Sequence, residues 1–181
     1  MNITIRHAAI SDAHAIADAE REIAKEPGFL CSQPFELTDE NVINTISAFL
    51  KNKNGVYFVA ENKTQIVGHA FLEPLHLQSL RHVADLNIVV HSGWQKKGIG
   101  TILLEHLIDW AKNSNAIEKI QLNVRASNIA AISFYKKMGF EEEGRLKNRL
   151  KVKDRYIDDI IMGLDLRDNL CEKSLLKSAG I

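Results

Sequence analysis

Apolar and polar positions along this chain alternate with a period of two in some stretches and of about 3.6 in others, and the switches mark out its strands and helices. Ile3 and Ile5 alternate with polar neighbours and predict a first strand at about residues 2–7. Ser11 or Asp12 then caps a helix whose Ile16, Ala19 and Ile23 share one face and which Pro27-Gly28 ends. A polar loop to about Leu37 leads to Thr38, the cap of a second helix with the stripe Val42, Ile43, Ile46, Phe49 and Leu50, stopped by Asn52 to Gly55. Val56 to Ala60 and Ile66 to Leu72 flank a polar turn and read as a hairpin. After the loop His76 to Arg81, a strand from about His82 to Val90 ends in the apolar run Leu86-Asn87-Ile88-Val89-Val90, which reads as buried.

That run breaks at His91-Ser92-Gly93, and Gln95-Lys96-Lys97-Gly98-Ile99-Gly100-Thr101 opens an amphipathic helix predicted to reach about Lys112, burying Ile102, Leu103, Leu107, Trp110 and Ala111. A strand, a glycine-rich turn and a helix start therefore follow one another. The first amides of a helix lack intrahelical partners and carry the positive end of its dipole, so they stabilise an anion. Gly98 and Gly100 have no Cβ and let a phosphate approach, while Lys96 and Lys97 add charge. A tight βα turn with no ligand fits the same glycines, and at this point both readings stand.

Ile120 to Val124 alternate as a further strand, and a helix starting at Ala126-Ser127-Asn128 carries Ala131, Phe134 and Tyr135 until Gly139 ends it. Phe140 to Val152 and Tyr156 to Leu166 read as two long strands joined at Lys153-Asp154. Strands linked by helices in the middle and by hairpins elsewhere predict a mixed sheet covered by helices, hence one α/β domain over residues 1–166, with 167–181 as a C-terminal tail.

At 181 residues the chain is long enough for one core, and 45% apolar with 25% charged residues is ordinary for a globular domain. Its 23 basic and 23 acidic side chains cancel, which points to no nucleic-acid partner and no membrane surface. Cys31 and Cys171 form no CxxC or zinc spacing and read as free thiols. The N-terminus lacks a signal-peptide pattern and no run of about 18 apolar residues occurs, so a cytoplasmic location is expected. The histidines show no paired-ligand spacing, and no metal is expected.

Gln95-Lys96-Lys97-Gly98-Ile99-Gly100 resembles the (Arg/Gln)-x-x-Gly-x-(Gly/Ala) pyrophosphate motif of the GCN5-related N-acetyltransferases, and Asn123 through Phe140 resembles that family's second signature, N-x-x-A-x-x-(F/L)-Y-x-x-x-G-F. The resemblance covers residues 1 to about 166. It implies a mixed seven-stranded sheet splayed between strands four and five, flanked by about four helices, with acetyl-CoA as cosubstrate. The pantetheine arm would lie in the splay against the main chain of Ile88, Val89 and Val90, and the amides of Gln95, Lys96, Lys97, Gly98, Ile99, Gly100 and Thr101 would hold the pyrophosphate. By the same resemblance Asn128 contacts the cofactor besides capping its helix, Lys137 meets the 3′-phosphate, and a homodimer is among the assemblies to expect.

Acyl transfer from a thioester to an amine needs a neutral amine, a polarised carbonyl and a proton for the leaving thiolate. Tyr135 matches the family tyrosine near the cofactor sulfur. For the general base the strand before the motif offers Asp85 and His82, with Glu73 at the end of the preceding strand as a third choice. Residues 28–40 and 144–160 are expected to hold the acceptor specificity. Members acting on amino acids or other small amines and members acting on protein N-termini both resemble this chain there; the small amine is the preferred reading, and a non-catalytic acyl-CoA-binding module is the alternative of another class.

Overall fold

The computed structural model describes residues 1–26, 30, 32–51, 55–114 and 116–167. Seven strands form one sheet in the order β1-β2-β3-β4-β5-β7-β6. They are β1 (Ile3–His7), β2 (Val56–Asn62), β3 (Gln65–Pro74), β4 (Val83–Val90), β5 (Lys119–Arg125), β6 (Glu141–Val152) and β7 (Arg155–Asp165). All neighbours are antiparallel except β4 and β5. The helices are α1 (Ala13–Ala24), α2 (Asp39–Lys51), α3 (Ile99–Ser114) and α4 (Ile129–Lys137).

Alternation along the strands feeds two cores, one on each face. Ala84, Ile120, Leu122, Val124, Ile160 and Met162 bury against Ile99, Leu103, Leu104, Leu107 and Ala111 of α3, with Phe134 and Tyr135 of α4 packed beside them. On the opposite face Tyr57, Val59 and Ile66 bury against Ala13, Ile16 and Ala17 of α1 and Val42 and Ile46 of α2. On α3, Leu104 is buried where the sequence suggested Ile102, and the stripe of α2 is narrower than the sequence suggests, since Ile43 and Leu50 are exposed. Asp12 does not cap α1 with its side chain. It bonds Arg6 at 2.7 and 2.9 Å and the Ala9 amide at 2.8 Å, closing a short 3-10 turn that leads into the helix. The stop at Pro27-Gly28, Asn52 to Asn54 after α2, both cysteines and the tail past Arg167 lie outside the described residues.

One irregularity of the sheet places the site. Strands β4 and β5 pair in parallel over three rungs only, Val83 with Lys119, Ala84 with Ile120 and Asp85 with Gln121. Beyond that rung β4 stays paired to β3 through Val90, and β5 stays paired to β7 through Arg125. The two middle strands therefore diverge into a V that opens toward their C-terminal ends. This explains why Leu86, Ile88 and Val90 are only half-buried and Asn87 is exposed, against the sequence reading of a buried run.

Candidate active site

The upper part of the V is lined by main chain. From Leu86 to Val90 one edge of β4 is satisfied by β3, while the edge toward β5 has no strand against it among the described residues. The loop after β4 then winds through three left-handed residues, Gly93 (φ +79°), Lys96 (φ +60°) and Gly98 (φ +81°). Left-handed residues in a turn can direct neighbouring N–H groups toward one concavity, an arrangement suited to an anion. Among the described residues no acceptor meets the amides of Gln95 through Thr101, where α3 begins.

Side chains brace this loop rather than fill it. The Gln95 carboxamide accepts from the Gly93 amide at 3.0 Å and donates to the Val90 carbonyl at 3.2 Å. Lys97 folds back, donating to the Gly93 carbonyl at 2.8 Å with its ammonium 4.8 Å from the Trp94 ring centre. Gly100 is tucked under the loop, where a Cβ would sit 3.6 Å from both Val90 Cγ2 and Phe134 Cζ, so anything much larger than alanine must displace the wall.

Below the loop lies a buried chain of polar groups that the spacing of histidines in the sequence does not reveal. His91 Nδ1 donates to the Ile66 carbonyl at 3.0 Å, His91 Nε2 faces His69 Nδ1 at 3.1 Å, and His69 Nε2 faces a Glu20 oxygen at 3.1 Å. A carbonyl only accepts, so His91 Nε2 receives the His69 Nδ1 proton, and one further proton lies between His69 and Glu20. Burial and the neighbouring His69 push His91 down to about 4, keeping it neutral. The chain ties α1 to β3 and to the first residue of the loop.

At the apex of the V, Asp85 occupies the last paired rung. The Gln121 amide donates to its Oδ1 at 2.7 Å, and Glu73 stands directly opposite on β3. Asp85 and Gln121 lie on the sheet face that carries α1 and α2, as do Asn87 and Asn123 one step further up. His82 is elsewhere: it is exposed in the turn before β4, at the closed end of the sheet, and only its carbonyl is engaged, by the amides of Glu118 and Lys119 at 2.8 and 3.1 Å. The structure thus brings Asp85 to the opening and leaves His82 outside it.

Tyr135 lies on the other face of the sheet, packed against the core there. Its ring packs 5.2 Å from Phe134 and 5.6 Å from Phe140, and burial pushes its phenol above the ordinary range, so it stays protonated at neutral pH. Its hydroxyl has no hydrogen-bond partner among the described residues. Asn128 caps α4, accepting the Ala131 amide at 3.1 Å. Lys137 is exposed in the last turn of that helix, on the side of Phe134, the residue that meets Gly100. Among the described residues no cluster of three or more metal-ligating side chains occurs, and no helix is long and apolar enough to cross a membrane.

The acetyltransferase (GNAT) family model matches residues 18–140, which span the V, the loop and α4. The chain belongs to this family. It is similar to the L-amino acid N-acetyltransferase AaaT of Escherichia coli K12, with 31% identity over 163 residues covering 88% of this chain and 96% of that one. It is also 41% identical to the ribosomal protein bS18-alanine N-acetyltransferase of the same organism, over 80 residues that cover 44% of this chain and 53% of that enzyme. Among solved structures, a ribosomal-protein-alanine N-acetyltransferase from Brucella melitensis superposes with a TM-score of 0.82 at 27% identity over 90% of this chain and 99% of the other. A Salmonella typhimurium acetyltransferase bound to acetyl-CoA has the same fold, with a TM-score of 0.84 at 22% identity over 92% of this chain and 95% of its own. The GNAT chain is thereby an acetyl-CoA-dependent acetyltransferase with the expected mixed, splayed sheet and four helices. The contacts of Gln121, His69, His91 and Glu20 in this region were not legible in the sequence; only the alternation of Ile120 to Val124, which leaves Gln121 and Asn123 on one face, carried a hint.

Proposed function

We propose that the protein transfers the acetyl group of acetyl-CoA to the primary amine of a small molecule, an amino acid above all, by direct attack within a ternary complex. The observation that carries the reading is the V itself: the open main-chain edge of β4 runs from a carboxylate at the apex to the loop that carries the amides of Gln95 to Thr101. Similarity to AaaT over nearly its whole length supports an amino acid as acceptor.

In this reading the pantetheine amides pair with the open edge at Ile88, Val89 and Val90 as an added strand, and the pyrophosphate sits on the amides of Gln95 to Thr101. Asn128 and Lys137 border the nucleotide end. The acceptor enters from the α1 and α2 face. Asp85, directly or through one water, takes the proton that an ammonium must lose before its lone pair attacks the thioester carbon. The C–N bond forms, the C–S bond breaks, and Tyr135 gives its proton to the departing thiolate. Burial keeps that phenol protonated at neutral pH, so the proton is in place when the thiolate forms.

The shared stretch with the bS18-alanine enzyme supports a second reading, a protein N-terminus as acceptor. Thiol release from acetyl-CoA across amino acids, polyamines and N-terminal peptides separates the two. Release with free amino acids and none with peptides is expected; turnover confined to peptides overturns the small-molecule reading. Tight acetyl-CoA binding without release for any amine would leave only a binding module.

A further inference from the structure

We propose that Gln121 is a positioning residue for the transfer, holding one oxygen of Asp85 at the apex of the V so that the other faces the acceptor amine. The proposal rests on the reading of Asp85 as the base. Register supplies the first support: Asp85 and Gln121 form the last rung before the sheet opens, so the link between them lies where the two walls part. Geometry supplies the second. The Gln121 amide donates to Oδ1 at 2.7 Å, and Oδ2 has no partner among the described residues. A carboxylate on a short side chain rotates freely unless one oxygen is held, and a base must present a lone pair in a fixed direction.

The surroundings supply the third support. Glu73 faces Asp85 directly across β3, with His76 4.0 Å from the Glu73 carboxylate. On β5, Lys119 is two residues from Gln121 on the same face, but Glu143 of β6 claims its ammonium at 2.7 Å, and Asp165 of β7 is its rung partner. Gly163, the rung partner of Gln121, has the Glu143 carboxylate lying over it where a Cβ would be. Charge around the apex is thus mainly negative, and Gln121 is the neutral donor that offsets it for Asp85.

The test compares Gln121→Met, which keeps length and shape without the donor, with Gln121→Glu and Asp85→Asn, in kcat and kcat/KM against pH and in acetyl-CoA affinity. Gln121→Met is expected to lower kcat about tenfold, leave acetyl-CoA affinity within about twofold, and move the acidic limb of kcat/KM to higher pH, because a donor to the charged form is gone. Gln121→Glu, adding a like charge, is expected to move that limb further. Wild-type kcat and an unmoved limb in Gln121→Met, or a lower melting temperature as its sole change, overturn the proposal. If Gln121→Met does not fold, Gln121→Asn, which withdraws the amide by one methylene, is read in the same way. Undiminished turnover in Asp85→Asn sinks the base reading and this proposal together. Loss of turnover in Asp85→Asn beside wild-type behaviour in Gln121→Met sinks this proposal alone.

Discussion

The loop from His91 to Thr101 and the projecting end of the β6–β7 hairpin lie at the same end of the sheet and are built on opposite terms. The loop works through backbone: left-handed residues, open amides and glycines, with Gln95 and Lys97 turned inward as braces. The hairpin presents side chains, with Lys147, Arg149, Lys151, Lys153 and Arg155 all exposed on two strands and a turn that run past the end of β5. A main-chain site fits a ligand part that never varies, such as a pyrophosphate. A side-chain site can be rewritten one residue at a time, as a changing acceptor requires.

Chemistry should sit between these two regions and depend on neither. Asp85→Asn is expected to lower kcat by about a hundredfold to ten-thousandfold while acetyl-CoA affinity stays within about twofold, the usual worth of a positioned base. Steady-state rates beside a cofactor titration check this; a parallel loss of affinity would merge the apex with the donor site. Tyr135→Phe is expected to cost about tenfold to a hundredfold in kcat, again with affinity kept. Reversing charge on the hairpin with Lys147→Glu and Arg149→Glu is expected to change the acceptor KM severalfold and leave the acetyl-CoA Kd alone. Equal changes in both constants would end the division of labour.

Smaller effects probe what holds the donor loop. His91 is neutral in the folded protein down to about pH 4 and protonates near its ordinary value of 6.5 when unfolded. Between those values the unfolded chain binds more protons, so stability is complete above about 6.5 and falls as pH drops toward 4. Urea midpoints at several pH values should show that slope in the wild type and a flatter one in His91→Gln. Lys96→Ala, removing one exposed charge beside an amide site, is expected to weaken acetyl-CoA by only about twofold to fivefold, in line with solvent-screened charges.

This contrast also explains what the sequence disclosed. Strands and helices followed from periodicity, and the turn proposed to hold the pyrophosphate was marked by its glycines, of which Gly98 takes a left-handed conformation that favours glycine. Asp85 stood out as a carboxylate within an apolar strand, yet its place at the opening and that of His82 outside it depended on where β4 and β5 stop pairing, which no local pattern encodes. Gln121 and the chain Glu20–His69–His91 join residues far apart in sequence through strand register and helix packing. The half-buried state of Leu86, Ile88 and Val90 was misread for a related reason: apolar strand residues look alike whether or not a neighbouring strand covers them.

The claim that the donor is held by backbone amides at the mouth of the V is tested most directly by calorimetric titration of acetyl-CoA into the wild type and Gly100→Trp. A large side chain there must push into Val90 and Phe134 and shift the amides at the start of α3. Loss of measurable binding in a variant that still melts cooperatively is the predicted result; wild-type affinity in Gly100→Trp would contradict the placement.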